Sequence, residues 1–384
     1  MTLMEAGTSV LQRLEAAGFE AFFVGGMVRD ALLGREIHDV DITTSAMPVS
    51  VMGLFDNCVP TGIGHGTVTV LVGKVPIEVT TYRMDGEYRD FRRPESVSFT
   101  TSLEEDLRRR DFTINALAMD KNGQVFDPLM GSADLRGGLI RAVGNAGQRF
   151  FEDPLRMLRA LRFVSKLGFE LDNGCQQAIK DYGYLTANLA RERVMKELEG
   201  LMDGKFKEKA LGLMIQAGLL AHFPDLKPLA RLDTKVLSTL KNSLDLFLAA
   251  SFFSGGIKEY MAGWPLSKSQ KRLIAKTHGY FLDGAPLLWV QYADGMETAA
   301  ALWRMRVVFG KSDEAFIPQQ LVISNRGELA MTASNMLSAA GISPGPNAKK
   351  LLEQVEWAVL SQKIKNSPAE ILAFIGGQDV SAKT

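Results

Sequence analysis

The sequence predicts an α+β protein: a mixed N-terminal part in which short strands alternate with helices, followed by a long, wholly helical remainder. Three observations carry this prediction. Short apolar runs bounded by glycine recur through the first 140 residues, among them AFFV at 21–24 and the pair TVTVLV and VPIEVTT between 67 and 81. From about residue 148 strand signals almost vanish and apolar residues recur at helical spacing. The 384 residues are 46% hydrophobic, enough for two or more domains with a substantial core.

Composition narrows the function classes. Basic and acidic residues both number 44, so a polyanionic partner must be met by a local basic face and not by a global field. Cys58 and Cys175 lie in unrelated contexts without CxxC spacing, which argues for buried free thiols of a reducing compartment and against structural zinc. The first 20 residues lack a basic n-region, and the apolar stretch 244–253 contains Asp245 and is too short to span a bilayer. The expectation is a cytoplasmic globular protein without membrane association.

Taken in order, residues 8–17 predict a first helix closed by Gly18, leading into a strand at 21–24. Gly25-Gly26 permits a tight turn, and residues 27–33 carry helical spacing before Gly34 ends it. The turn would present backbone N–H groups at a helix N-terminus, where phosphate is attracted and Arg29 can add charge-assisted bonds. Asp39 and Asp41 alternate with Val40 and Ile42, a period of two that would set both carboxylates on one face of a strand. Paired carboxylates suit Mg²⁺, which is usually held by one or two of them plus substrate phosphates. Order strengthens the reading, because nucleotidyl transfer needs one element for the triphosphate and another for the metal. His38-Asp39 also spells the dipeptide of metal phosphohydrolases, but that site needs an upstream histidine and His38 is the first in the chain.

Ser45 and Pro48 start a helix running to Phe55, and glycine-rich 61–66 leads into a hairpin of 67–72 with 75–81. Glu78, opposite in direction to Ile77 and Val79, is a candidate third carboxylate for the metal face. Residues 83–101 lack an apolar period and mix charged and aromatic side chains, which predicts a long mobile loop, with Arg89, Arg92 and Arg93 free to pair with Asp90 or Glu95 in alternative ways. Arg110, Asp111 and Asn115 are pinned among Phe112, Ile114 and Leu117 like a pocket wall. A short strand and turn at 124–128 and a polar connection at 131–138 close this part. The first helix beyond carries Asp153, Arg156, Arg159 and Arg162 every three residues, against Leu155, Leu158 and Leu161 on another face. Between 141 and 166 six basic residues meet two acidic ones, a density beyond an ordinary solvated face. Further helices follow, broken at 254–256, Gly284 and 343–346.

With these pieces in place the chain resembles the class II tRNA nucleotidyltransferases, the CCA-adding enzymes of bacteria, within the poly(A) polymerase and tRNA nucleotidyltransferase family. The first family motif stands here as GGMVRDALLGREIHDVDITT, the second as RRDFTINALA and the nucleotide-selecting motif as EDPLRMLRALRF; a later one is matched loosely by ARERVMKEL, with Ala190 where a serine is often seen. The resemblance implies a polymerase-β-type head with a mixed sheet over 1–140, a helical nucleotide-selecting neck over 141–205, a helical body over 206–300 and a tRNA-docking tail over 301–384. It implies addition of CCA to the 3′ end of tRNA from CTP and ATP, with Mg²⁺ on Asp39 and Asp41, and it leaves a homodimer open. Gly25, Gly26 and Arg29 would meet the incoming nucleotide, and Arg110, Asp111, Asn115, Asp153, Arg156, Arg159 and Arg162 would form its site.

Chemistry explains how such residues could replace a template. Cytosine and adenine both show an amine donor beside a ring-nitrogen acceptor, whereas uracil and guanine show a carbonyl beside an N–H. Asp153 accepting and Arg156 donating would therefore suit C and A and oppose U and G. The rival readings are a poly(A) polymerase, whose usual stretch before IEVTTYR is replaced here by GHGTVTVLVGKV; a CC-adding enzyme, which lacks part of the 83–101 loop; an A-adding enzyme, which keeps it; and a non-catalytic RNA binder, which the intact aspartates and Arg110 oppose.

Overall fold

The computed structural model describes residues 1–86, 97–254, 256–312 and 315–377. The chain divides into two compact units, Met1–Ser243 and Leu244–Thr384.

In the first unit the elements follow as α1 (Leu3–Ala16), β1 (Ala21–Val24), α2 (Gly26–Leu32), β2 (Asp41–Thr44), α3 (Pro48–Leu54), β3 (Cys58–Gly62), β4 (Thr67–Val72), β5 (Val75–Thr81), β6 (Arg83–Asp85) and β7 (Val97–Phe99). Then come α4 (Leu103–Arg108), β8 (Ala118–Met119), β9 (Val125–Phe126) and α5 (Gly131–Arg136). A mixed seven-stranded sheet runs β3-β4-β5-β2-β1-β8-β9, with β2 and β5 parallel and its other pairs antiparallel. Alternation does the sorting: Val68, Val70, Ile77 and Val79 are fully buried, while Glu78 between the last two is exposed. Helix α1 covers the sheet with buried Val10, Leu11 and Leu14.

Several elements depart from the sequence reading, each for a local reason. Helix α1 begins at Leu3 and not near residue 8, because Thr2 and Glu5 form a capping box, Thr2 Oγ1 accepting from the Glu5 amide at 3.2 Å. Strand β3 was hidden by its Pro60 and Gly62; it is an edge strand, where such residues are tolerated. The supposed polar connection at 131–138 is largely helix α5, whose first amides, Gly131 and Ser132, donate to the Asp127 carboxylate at 2.8 and 2.9 Å. The 83–101 stretch is not loop throughout, since β6 and β7 pair at its two ends. Arg89, Asp90, Arg92, Arg93 and Glu95 lie outside the described residues.

Beyond the sheet, α6 (Ala146–Glu152), α7 (Leu155–Leu167), α8 (Asn173–Tyr182) and α9 (Arg191–Met202) follow, with α7 packed on α9. The arginine helix is two helices. Pro154 pushes Asp153 into extended backbone (φ −139°, ψ 99°), so Asp153 stands at the head of α7 and its carboxylate accepts from the Leu155 amide at 3.1 Å. Ala190 occupies the N-cap of α9, is exposed and caps no amide with its side chain. Ala190→Ser should therefore supply a hydroxyl to the Arg193 amide and stabilise the protein by about 1 kcal/mol. A calorimetric scan checks this; an unchanged or lower melting temperature contradicts it.

The second unit is helical, with Ile257–Ala262, Lys268–Leu282, Leu287–Val308, Ala333–Ala340, Pro346–Leu360 and Pro368–Gly376 around a core that includes Met336, Val355, Val359 and Ile371. Asp245, the charge in the apolar 244–253 stretch, is buried and pairs with Arg304 at 2.6 Å. The helix Leu287–Val308, kinked at Gly295, runs across residue 300, where a body–tail boundary was expected. Nor is the unit helical from 301 onward: among the described residues between 309 and 332 the only helical turn is the 3₁₀ segment Arg326–Glu328. No helix of the described residues is long and apolar enough to cross a membrane.

Candidate active site

Gly25 joins β1 to α2 at φ +71°, a conformation that glycine adopts freely. A side chain there would stand 3.5 Å from Arg110 Nη1 and 3.7 Å from Asp41 Oδ2, at the wall of a cavity of about 690 Å³. Gly25, Gly26, Arg29, Asp39, Asp41, Arg110, Asp111, Asn115, Asp153, Arg156, Arg159 and Arg162 all line it. Residues from Gly25 to Arg193 thus share one space. Its lining holds more arginines than aspartates, an excess that suits a triphosphate.

Glu78 does not line the cavity, although on β5 it stands in register with Asp41 on β2. Asp39 lies in the coil before β2, so strand alternation is not what brings it to Asp41. The Asp41 carboxyl is pushed up to about 6, first by burial and then by the charges of Asp39 and Glu78, against the opposing pull of Arg110. Crowded carboxylates of this kind favour a cation, and their hard oxygens suit a divalent one. Among the described residues no three His, Cys, Asp or Glu side chains form a ready metal cage. Asp39 and Asp41 can offer two ligands, with the rest left to substrate phosphates or water.

The arginines are held by carboxylates, among them Asp30 and Glu197, which the sequence alone does not single out. Asp30 takes Arg29 in a fork at 2.8 and 3.0 Å, and the remaining Arg29 Nη1 donates to Asn115 Oδ1 at 2.7 Å. Asn115 donates in turn to Asp111 at 3.2 Å, and Asp111 accepts from Arg159 Nε at 2.8 Å. Burial would raise the Asp111 carboxyl, but the Arg159 guanidinium outweighs it and holds the group below the usual carboxylate range. Glu197 on α9, buried, pairs with Arg162 at 2.7 Å and reaches Arg159 at 3.9 Å. Asp111 and Asn115 therefore line the cavity and also hold cationic side chains at its wall.

Asp153 and Arg156 are held separately. Arg156 donates to Glu152 Oε2 at 2.9 Å and to the Arg149 carbonyl at 3.1 Å, while Asp153 accepts from Arg193 at 3.1 Å. Asp106, fully buried behind the lining residues Arg109 and Arg110, accepts from Arg109 Nε at 2.9 Å and Arg110 Nη2 at 3.0 Å. The missed residues had signals: Asp106 precedes Arg109 and Arg110 by three and four positions and Glu152 precedes Arg156 by four, the spacings of helical ion pairs. Arg193 and Glu197 lie in ARERVMKEL, whose charges are visible in the sequence while their partners on other elements are not.

Comparison with known proteins follows the same lines. The family described as "Poly A polymerase head domain" matches residues 21–141, "Probable RNA and SrmB- binding site of polymerase A" matches 168–229, and tRNA nucleotidyltransferase domain 2 matches 245–375. The CCA-adding enzyme of Listeria monocytogenes serotype 4b (strain CLIP80459) is 38% identical over 379 residues, 96% of each chain, and that of Lactococcus lactis subsp. cremoris (strain MG1363) is 37% identical over 382 residues, 95% of this chain and 94% of the relative. The crystal structure of the Bacillus stearothermophilus CCA-adding enzyme in complex with CTP superposes with a TM-score of 0.78 at 32% identity, covering 100% of this chain and 99% of that one. The Thermotoga maritima CCA-adding enzyme complexed with tRNA shares the fold, with a TM-score of 0.66 at 20% identity over 97% of this chain and 94% of that one.

Proposed function

Because the chain belongs to the family of the bacterial CCA-adding tRNA nucleotidyltransferases, we propose that it adds C, C and A to the 3′ end of tRNA, using CTP and ATP in the cytoplasm. One observation carries the reading: a carboxylate pair, a glycine turn and a base-reading Asp–Arg pair share one basic cavity. Enzymes of this family use a divalent metal, and we propose Mg²⁺ held by Asp39 and Asp41. Bound there, it supplies Lewis-acid stabilisation of the transferring phosphoryl group.

The chain's own residues do the rest. Arg110 and the Gly25-Gly26 turn receive the triphosphate, and Asp153 and Arg156 accept and donate at the base edge. In-line attack of the tRNA 3′-hydroxyl on the α-phosphate then forms the new phosphodiester and releases pyrophosphate. Arg29, Arg159 and Arg162 add positive charge around the nucleotide while Asp111, Asn115 and Glu197 fix where it sits. Head residues 1–140 and neck residues 141–205 supply every lining residue, and residues beyond them are proposed to dock tRNA. Glu78 is kept as a charge neighbour of Asp41, outside the ligand set.

The test is direct. tRNA ending at the discriminator base, incubated with labelled CTP, ATP or both, should gain CC with CTP alone and CCA with both. Addition only of A, and only to tRNA already ending in CC, would make it an A-adding enzyme. A homopolymer of A would make it a poly(A) polymerase.

A further inference from the structure

We propose that Asp106 is the positioning residue of the nucleotide site, setting Arg109 and Arg110 against the triphosphate and tying them to β2 and to the root of the β6–β7 hairpin. The proposal rests on the nucleotide-binding reading of the cavity. Asp106 has no exposed surface, and its carboxylate reaches beyond its own helix to other strands. It accepts from Arg109 and Arg110, from the Thr43 hydroxyl at 3.3 Å and from the Arg83 amide at 3.3 Å. Thr43 is two residues past Asp41 on the same strand, and Arg83 opens β6. One carboxylate thus joins three pieces of chain that converge on the cavity.

Burial by itself would drive Asp106 to neutrality, but Arg110 and Arg109 outweigh it and hold the carboxyl below its usual range, so the charge that binds both guanidiniums is kept. The orientation of Arg110 follows. Its Nη2 is spent on Asp106, while its Nη1 and the Asp41 carboxylate both stand at the Gly25 turn. Without the Asp106 charge, Arg110 is free to swing onto Asp41 and leave the position that meets phosphate.

Asp106→Asn keeps the shape and removes the charge. Equilibrium titration with CTP and with ATP should show both weakened, each by about 10- to 100-fold, the range for losing a charge-assisted bond. The contact concerns the triphosphate and not the base, so the ratio of the two affinities should stay constant, and tRNA binding should hold within about twofold. In an Arg110→Ala background the same change should add little further loss, because both act through one guanidinium. Unchanged nucleotide affinity in a folded Asp106→Asn protein overturns the proposal, as do losses that multiply in the double variant. If the Asn variant does not fold, Asp106→Glu retains the charge but displaces it by one methylene; it should weaken both nucleotides together, and wild-type affinity would overturn the proposal. Failure of the unaltered protein to bind either nucleotide is a separate result: it removes the nucleotide reading of the cavity and this proposal with it.

Discussion

Asp39→Ala and Asp41→Ala are each expected to abolish addition of both C and A, lowering the rate of transfer by about 1000-fold or more, while tRNA binding changes little. Several kcal/mol of charge stabilisation is the usual contribution of a metal to phosphoryl transfer, and roughly 4 kcal/mol corresponds to that factor. Both carboxylates line the cavity, and Asp41 is crowded by Asp39 and Glu78 in the way a cation site requires. Binding of tRNA depends on phosphate contacts made by basic side chains, which these substitutions leave in place. Single-turnover incorporation of labelled nucleotide and a gel-shift titration separate the two effects. Near-normal transfer in either variant removes the metal assignment. Equal loss of transfer and tRNA binding would indicate damage to the fold.

Much of this site was legible because its residues lie in short local patterns. The strand Ala21–Val24, the Gly25 turn and the hairpin of β4 with β5 were read with the right bounds, since burial on one face imposes a period of two and tight turns demand glycine. Two kinds of feature were not legible. Elements capped from outside the usual N-cap position, such as α5 under Asp127 with Met130 at its N-cap, carry too little apolar period of their own to announce a helix. Bracing ion pairs were missed as well, because Arg193 meets Asp153 and Glu197 meets Arg162 only when α9 packs on α7, across about 35 to 40 residues of chain. Sequence showed which charges would be present; packing decided which of them would face substrate and which would hold a neighbour in place. Asp111 and Asn115, expected at the nucleotide site, line the cavity and also hold its arginines, Asn115 accepting from Arg29 and Asp111 from Arg159.

The same distinction sharpens the second large effect, on the choice of base. Asp153→Ala and Arg156→Ala should let UTP and GTP compete with CTP and ATP, reducing discrimination by about 100-fold or more, because mismatched buried polar groups are the strong source of selectivity. The cavity places both side chains on its wall, and each has an independent brace: Arg193 for Asp153, Glu152 for Arg156. Removing one reader leaves the other held, so the pocket persists but asks only half its question. A variant that lost only packing would slow every nucleotide alike. Steady-state kcat/KM for all four triphosphates on tRNA ending at the discriminator base distinguishes these outcomes. A fall in the C-over-U and A-over-G ratios supports reading by the protein itself, whereas equal slowing of all four would show that Asp153 and Arg156 shape the neck without reading the base.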